Sequence, residues 1–102
     1  MVSDIGGKVL LESDIQQRLI EEARKRGVYV RKMVAMAYRG FPDLLLVRGG
    51  KIVFWEVKTL RGTVSVVQER EHRELQVRGA RVMTTYGLWD ALESLDMIFP
   101  WC

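Results

Sequence analysis

Residues 40–58 read GFPDLLLVRGGKIVFWEVK, two β-type runs on either side of Gly49-Gly50. This dipeptide tolerates the positive φ angles of a tight turn, so the segment predicts a β-hairpin. Asp43 begins the first run and Glu56 comes near the end of the second. Because the outer ends of an antiparallel pair lie side by side, the sequence predicts two carboxylates at one end of the sheet.

Lys58 is expected on the same face of its strand as Glu56, because side chains two positions apart on a strand point the same way. Val57 then faces the other layer. Ile52 and Phe54 share the parity of Glu56, so this face should be partly buried. An acid and a lysine on a buried face are better explained by a function than by a solvated surface.

The N-terminal part of the chain predicts a helix followed by a strand. Apolar residues recur at helical spacing over residues 11–26, and Gly27 follows a basic last turn as a natural stop. Residues 28–38 are rich in Val, Tyr and Met without helical phasing, which indicates a strand. Gly40 and Pro42 end it.

After the hairpin, Ser65-x-x-Gln68 has the form of a capping box that opens a second helix, and Gly79 ends that helix. The chain is therefore expected to be an α/β protein with helices flanking a mixed sheet. The expected elements are a helix at 11–26, strands at 28–38, 43–48 and 51–58, a helix at 65–79, a strand at 80–85 and a helix at 88–95.

The composition is that of an ordinary globular protein, with 102 residues of which 48% are hydrophobic and 28% charged. This length suits one domain over residues 1–102. The longest apolar runs, 43–47 and 52–55, fall far short of the ~20 residues that cross a bilayer, and no signal segment opens the chain. We therefore expect a cytoplasmic protein that has no membrane partner.

The charge pattern favours nucleic acid only modestly. Basic residues outnumber acidic ones by 16 to 13, and 11 of the 16 are arginine, whose planar fork suits bidentate phosphate contacts. With one cysteine, Cys102, and one histidine, His72, an intrachain disulfide is excluded and a structural zinc site is not expected. Any bound metal would have oxygen ligands.

The paired carboxylates suit phosphodiester hydrolysis, which needs charge neutralisation on the phosphoryl oxygens, a positioned water and help for the leaving oxygen. Mg²⁺ assists all three and prefers one or two protein carboxylates, a role that fits Asp43 and Glu56. Lys58 could orient or deprotonate the attacking water, or stabilise charge in the transition state. The residues leave these roles of Lys58 open.

These motifs resemble a known family. Pro42-Asp43, followed after twelve residues by Glu56-Val57-Lys58, is similar to the PD-(D/E)xK nuclease signature. Gly40-x-Pro42-Asp43, an early Glu12-Ser13 and Gly62-x-x-Ser65-x-x-Gln68 resemble its VRR-NUC branch, in the stand-alone type known from phages and bacteria. The resemblance covers about residues 11–95 and implies a restriction-endonuclease-like αβββαβ core.

The resemblance also implies roles for individual residues. The implied catalytic set comprises Glu12, Asp43, Glu56, Lys58 and Gln68. Of these, Glu12, Asp43 and Glu56 would bind Mg²⁺ or Mn²⁺ together with the Val57 carbonyl, and Lys58 would be the catalytic lysine. The implied activity is that of a metal-dependent endodeoxyribonuclease on branched DNA, such as four-way (Holliday) junctions or flaps, working as a homodimer in a bacterial or phage-infected cell. The alternative is a catalytically silent DNA-binding module or a nuclease subunit of a larger complex.

Several of these residues have a simpler interpretation. Glu12 is favoured in a first helical turn by the helix dipole, and Gln68 could serve only as a cap. His72 shares a helical face with Gln68, but such a histidine is more often exposed, and we leave it outside the expected site. The apolar tail at 97–101 could cap the core or form a dimer contact. Four arginines could contact DNA phosphates, but the default expectation for each is simple exposure to solvent: Arg61, Arg70, Arg73 and Arg78.

Overall fold

The structure is a computed structural model that describes residues 10–34 and 39–102. Within these ranges, four strands form one mixed sheet in the order β1-β2-β3-β4. The first three strands are antiparallel neighbours, and β4 runs parallel to β3. The elements are α1 (Glu12–Lys25), β1 (Tyr29–Lys32), β2 (Leu44–Arg48), β3 (Lys51–Lys58), α2 (Val66–Gln76), β4 (Arg81–Tyr86) and α3 (Gly87–Ile98).

The β2–β3 hairpin sets the register of the sheet. Its turn consists of Gly49 and Gly50, at φ angles of 59° and 80°, and this confirms the predicted two-glycine connection. Leu44 pairs with Trp55 at the far end of the hairpin. The next position outward on each strand is Asp43 on one side and Glu56 on the other.

The two faces of β3 have different surroundings. Val53, Trp55 and Val57 are completely buried in the apolar core, where α1 and α3 pack against each other and against the sheet. Glu56 alternates with these residues and therefore points to the opposite face, where α2 lies. The site residues of β3 are thus held between the sheet and α2.

The first strand is shorter than expected. It spans Tyr29–Lys32, and residues 33 and 34 lie outside any strand, because β2 supplies partners only from Leu44 onward. The Met33 N–H still donates to the Asp43 carbonyl at 2.7 Å. The remainder of the predicted strand, residues 35–38, lies outside the described residues.

Part of the C-terminal tail caps the core, as one of the two interpretations of the sequence proposed, whereas Met97 and Trp101 are exposed. Ile98 and Phe99 are buried, and the buried Arg26 guanidinium donates to the Phe99 carbonyl at 3.1 Å. The same guanidinium pairs with Asp96 and lies 4.6 Å from the ring centre of Trp101. No helix in the described ranges is long and apolar enough to cross a membrane.

Candidate metal centre

Three carboxylates of the described residues meet at the end of the sheet away from the hairpin turn. Glu12 comes from the first turn of α1, Asp43 from the residue before β2, and Glu56 from β3. One oxygen from each lies within 4.8 Å of the others. This spacing allows one small cation to contact all three side chains.

Asp43 is tied to β3 by its own side chain. Its Oδ2 accepts a hydrogen bond of 2.9 Å from the backbone N–H of Val57. Phe41, two residues earlier, packs edge-on against Phe54 of β3 with 5.5 Å between ring centres. Both contacts hold the segment before β2 against the neighbouring strand, so the Asp43 carboxylate has a fixed position.

Glu56 is completely buried, which is unusual for a carboxylate. Its Oε2 accepts a hydrogen bond of 3.0 Å from Gln68 Nε2 and lies 3.5 Å from Lys58 Nζ. Its Oε1 has no hydrogen-bond partner among the described residues. A buried, unsatisfied carboxylate oxygen has a high cost, which binding of a cation would offset.

Gln68 carries out two functions with one amide. Its Oε1 accepts a hydrogen bond of 2.9 Å from the Ser65 N–H, and the Ser65 hydroxyl accepts one of 3.1 Å from the Gln68 N–H. This is the capping box that the sequence predicts. Because the cap occupies Oε1, the amide nitrogen is turned toward Glu56.

Gly40 allows the segment before β2 to approach the start of α2. Its φ is +84°, and a Cβ at this position would lie 2.7 Å from the Val67 carbonyl oxygen. No other residue fits here without a shift of backbone. Glycine at position 40 therefore permits the contact that brings Asp43 and Gln68 to the same site.

The electrostatics of the cluster favour an added positive charge. The pKa of Glu56 is raised to about 8, mainly by burial and also by the nearby Asp43 charge, while Lys58 opposes the shift. Burial also raises the pKa of Glu12. Three carboxylates with a nearby lysine suit a hard divalent cation such as Mg²⁺ or Mn²⁺, because such ions prefer carboxylate oxygens as ligands.

The structure brings together the five side chains that the sequence proposed for the site. Val57 contributes its backbone N–H to Asp43, whereas the expected role of its carbonyl as a ligand stays a prediction. The expectation that His72 is exposed was wrong. It is only 7% exposed, and its Nε2 lies 3.6 Å from Glu56 Oε1. Its position one helical turn after Gln68 was the available signal.

A cleft of about 550 Å³ adjoins the cluster, between α2, the loop before it and β4. Its lining includes His72, Arg73, Tyr86 and Gly62. Gly62 lies close to the Lys58 Cβ. The four arginines considered above are all exposed. Two of them make ion pairs with glutamates on α2, Arg73 with Glu69 at 3.9 Å and Arg78 with Glu74 at 3.0 Å.

Comparison with known proteins identifies the family. A protein of Acyrthosiphon pisum secondary endosymbiont phage 1, named "Putative nuclease p44", is 35% identical over 77 residues, which are 74% of this chain and 83% of that protein. A solved VRR-NUC domain is 30% identical and superposes with a TM-score of 0.76 over 83% of this chain and 94% of its own. The chain belongs to the VRR-NUC family. No family model matches the sequence.

Two further solved structures are similar to this VRR-NUC chain in fold. A second VRR-NUC domain protein, 16% identical, has a TM-score of 0.76 over 89% of both chains. A Holliday junction resolvase from the archaeon Archaeoglobus fulgidus, also 16% identical, has a TM-score of 0.56 over 72% of this chain and 64% of its own. The predicted restriction-endonuclease-like fold is confirmed.

Proposed function

We propose that this VRR-NUC chain is an endonuclease that hydrolyses phosphodiester bonds in DNA with Mg²⁺ or Mn²⁺. The observation that carries the proposal is the meeting of Glu12, Asp43 and Glu56 within 4.8 Å, beside the buried amine of Lys58. The phage relative, which carries the name of a nuclease, supports the same activity.

The cation would be held by carboxylate oxygens of Glu12, Asp43 and Glu56, and by the Val57 carbonyl. The residues fit such an ion because the converging side chains offer oxygen and because Oε1 of Glu56 is buried without a hydrogen-bond partner among the described residues. When bound, a divalent ion neutralises charge on phosphoryl oxygens and makes water more acidic.

In this proposal, Lys58 acts on the reacting phosphate. Lys58 is only 9% exposed, and its Nζ lies 3.5 Å from Glu56 Oε2, at the edge of the carboxylate cluster. From there it can orient the attacking water or stabilise the negative charge that develops on the phosphoryl oxygens. Gln68 holds Glu56 in place and serves as a positioning residue.

The proposed substrate is branched DNA, such as a four-way junction or a flap, cut by a homodimer. The fold is shared with a Holliday junction resolvase, which supports this choice. Junction resolution needs two symmetric cuts, and each chain presents one carboxylate cluster among its described residues. A two-fold dimer would supply the second site.

Cleavage of labelled four-way junction, flap, single-stranded and duplex DNA tests the proposal, with Mg²⁺, Mn²⁺ or EDTA. Wild type is compared with Asp43→Asn and Lys58→Met, and with Glu93→Gln as a surface control on α3. We expect metal-dependent cleavage by wild type and by the control, and loss of cleavage with retained DNA binding in the two site variants. Binding by wild type without cleavage in either metal would overturn the nuclease proposal and favour a DNA-binding module. Equal cleavage of all four substrates would remove the preference for branched DNA.

A further inference from the structure

His72 is a buried titratable group of the described residues to which the proposed chemistry gives no task. It lies on α2, and its side chain is 8% exposed, although α2 is otherwise mainly polar and solvent-facing. Its ring lines the cleft beside the cluster, whereas Glu56 behind it is not exposed at all. The imidazole therefore lies between the cleft and the buried carboxylate.

Two polar atoms without partners face each other at this contact. His72 Nε2 lies 3.6 Å from Glu56 Oε1, and within the described ranges neither atom makes a hydrogen bond. A neutral imidazole carries one N–H, and a carboxylate oxygen can accept two or more hydrogen bonds. A slight shortening of the contact, with the proton on Nε2, satisfies both buried atoms.

The opposite oxygen of Glu56 is already held. Gln68 Nε2 donates to Oε2 at 3.0 Å, and this amide is itself fixed by the capping box. A second donor at Oε1 would hold the carboxylate from both sides. Its plane would then be fixed, and the remaining lone pairs would point toward Glu12 and Asp43.

We propose that His72 is a positioning residue of the metal centre, which donates from Nε2 to Glu56 Oε1 when Glu56 binds the divalent ion. This inference rests on the proposed function. Groups that orient metal ligands in this way commonly change metal affinity by about 10- to 100-fold. The consequence is that α2 supplies both donors to Glu56, from Gln68 and from His72, one helical turn apart.

Mn²⁺ binding without DNA, measured by calorimetry and by the Mn²⁺-dependent rise in Tm, tests the inference. His72→Gln places an amide N–H near the position of Nε2, whereas His72→Leu fills the space without a donor. Gln76→Leu, in the same cleft but without a contact to Glu56, is the control. Should the leucine variant not fold, His72→Phe takes its place.

We expect wild type, His72→Gln and Gln76→Leu to bind Mn²⁺ with similar affinity, and His72→Leu to bind it on the order of tenfold or more weakly. The metal-free Tm of each variant separates this effect from packing. Equal affinity of His72→Leu and wild type would overturn the inference, as would equal losses in His72→Gln and His72→Leu. If wild type binds no Mn²⁺, the proposed function is overturned, and the inference is overturned with it.

Discussion

Gln68 Nε2 donates a hydrogen bond of 3.0 Å to Glu56 Oε2, and this bond joins the first turn of α2 to β3. The same amide accepts from the Ser65 N–H at 2.9 Å. The start of the helix and the orientation of the buried carboxylate therefore depend on one side chain. The position of α2 is thereby coupled to the geometry of the candidate metal centre.

Substitutions at Gln68 and Ser65 should separate these two functions. Ser65→Ala removes only the cap and should lower the free energy of unfolding by about 1 kcal/mol. Gln68→Ala should cost a similar amount of stability and should also weaken Mn²⁺ binding and DNA cleavage, because Glu56 loses its donor. Urea unfolding and Mn²⁺ calorimetry on both variants measure this. Equal Mn²⁺ affinities in the two variants would show that the Gln68–Glu56 bond has no effect on the site.

Gly40 should tolerate substitution less well than a glycine of similar φ in open space. Gly50 has a φ of +80° with nothing within 4 Å of a Cβ, whereas a Cβ at Gly40 would collide with the Val67 backbone. Gly50→Ala should cost about 1–2 kcal/mol from its left-handed conformation alone. Gly40→Ala should cost more and should also impair cleavage. Equal losses of unfolding free energy would contradict the close contact between this segment and α2.

The hairpin and the convergence of its two carboxylates could be predicted from sequence because both depend on local rules. Gly49-Gly50 specifies a tight turn, and the period of two places Glu56 and Lys58 on one face. The Gln68 cap is equally local. Once the hairpin pairs in register, Asp43 and Glu56 must meet at its open end.

The remaining features depend on how elements pack, which no local pattern encodes. The place of Glu12 beside the hairpin follows from the docking of α1 on the sheet, and the sequence suggested it only through the family resemblance and its position next to the inward apolar stripe of the helix. The burial of His72 follows from the docking of α2 against β4, which brings the His72 side chain next to Glu56 of β3. The early end of β1 follows from the start of β2 at Leu44, since Met33 and Val34 lie beyond the last strand residue that β2 offers as a partner.

Glu56 should make the metal-free protein less stable as pH rises toward 8, and this loss should be complete above that pH. The pKa of Glu56 is raised to about 8 in the folded protein, so the folded state holds a proton that the unfolded chain releases near its ordinary value of 4.5. The contribution of this proton to the free energy of unfolding is fully present below pH 4.5 and is lost as pH rises toward and through 8. The free energy of unfolding then falls by at most about 1.4 kcal/mol per pH unit.

Urea unfolding in EDTA between pH 6.5 and 9 measures this effect. The window avoids the opposite contribution of His72, whose pKa is lowered by burial and which reduces stability as pH falls below 6.5. Glu56→Gln should remove most of the dependence. Saturating Mg²⁺ should flatten the profile, because the ion displaces the proton and Glu56 is then ionised in both the folded and the unfolded states. A flat profile for wild type in EDTA would contradict the raised pKa.

Arg61 should contact DNA phosphate, whereas Arg78 should not. Arg61 is exposed in the loop three residues after Lys58. Arg78 lies beyond the end of α2 and forms an ion pair with Glu74 of that helix. Arg61→Gln should reduce the slope of log affinity against log salt by about 1, and Arg78→Gln should leave it unchanged. Fluorescence anisotropy across a salt series provides the measurement. An equal reduction of the salt slope in both variants would indicate a general charge effect instead of a specific phosphate contact by Arg61.

Locating a bound ion directly is the most decisive measurement for the metal centre. Crystals grown with Mn²⁺ should give an anomalous peak roughly 2 Å from carboxylate oxygens of Asp43 and Glu56, with Glu12 adjacent, and the peak should vanish in Asp43→Asn. A peak elsewhere on the surface, or none at these carboxylates in wild type at millimolar Mn²⁺, would contradict the assignment of this cluster as the metal centre.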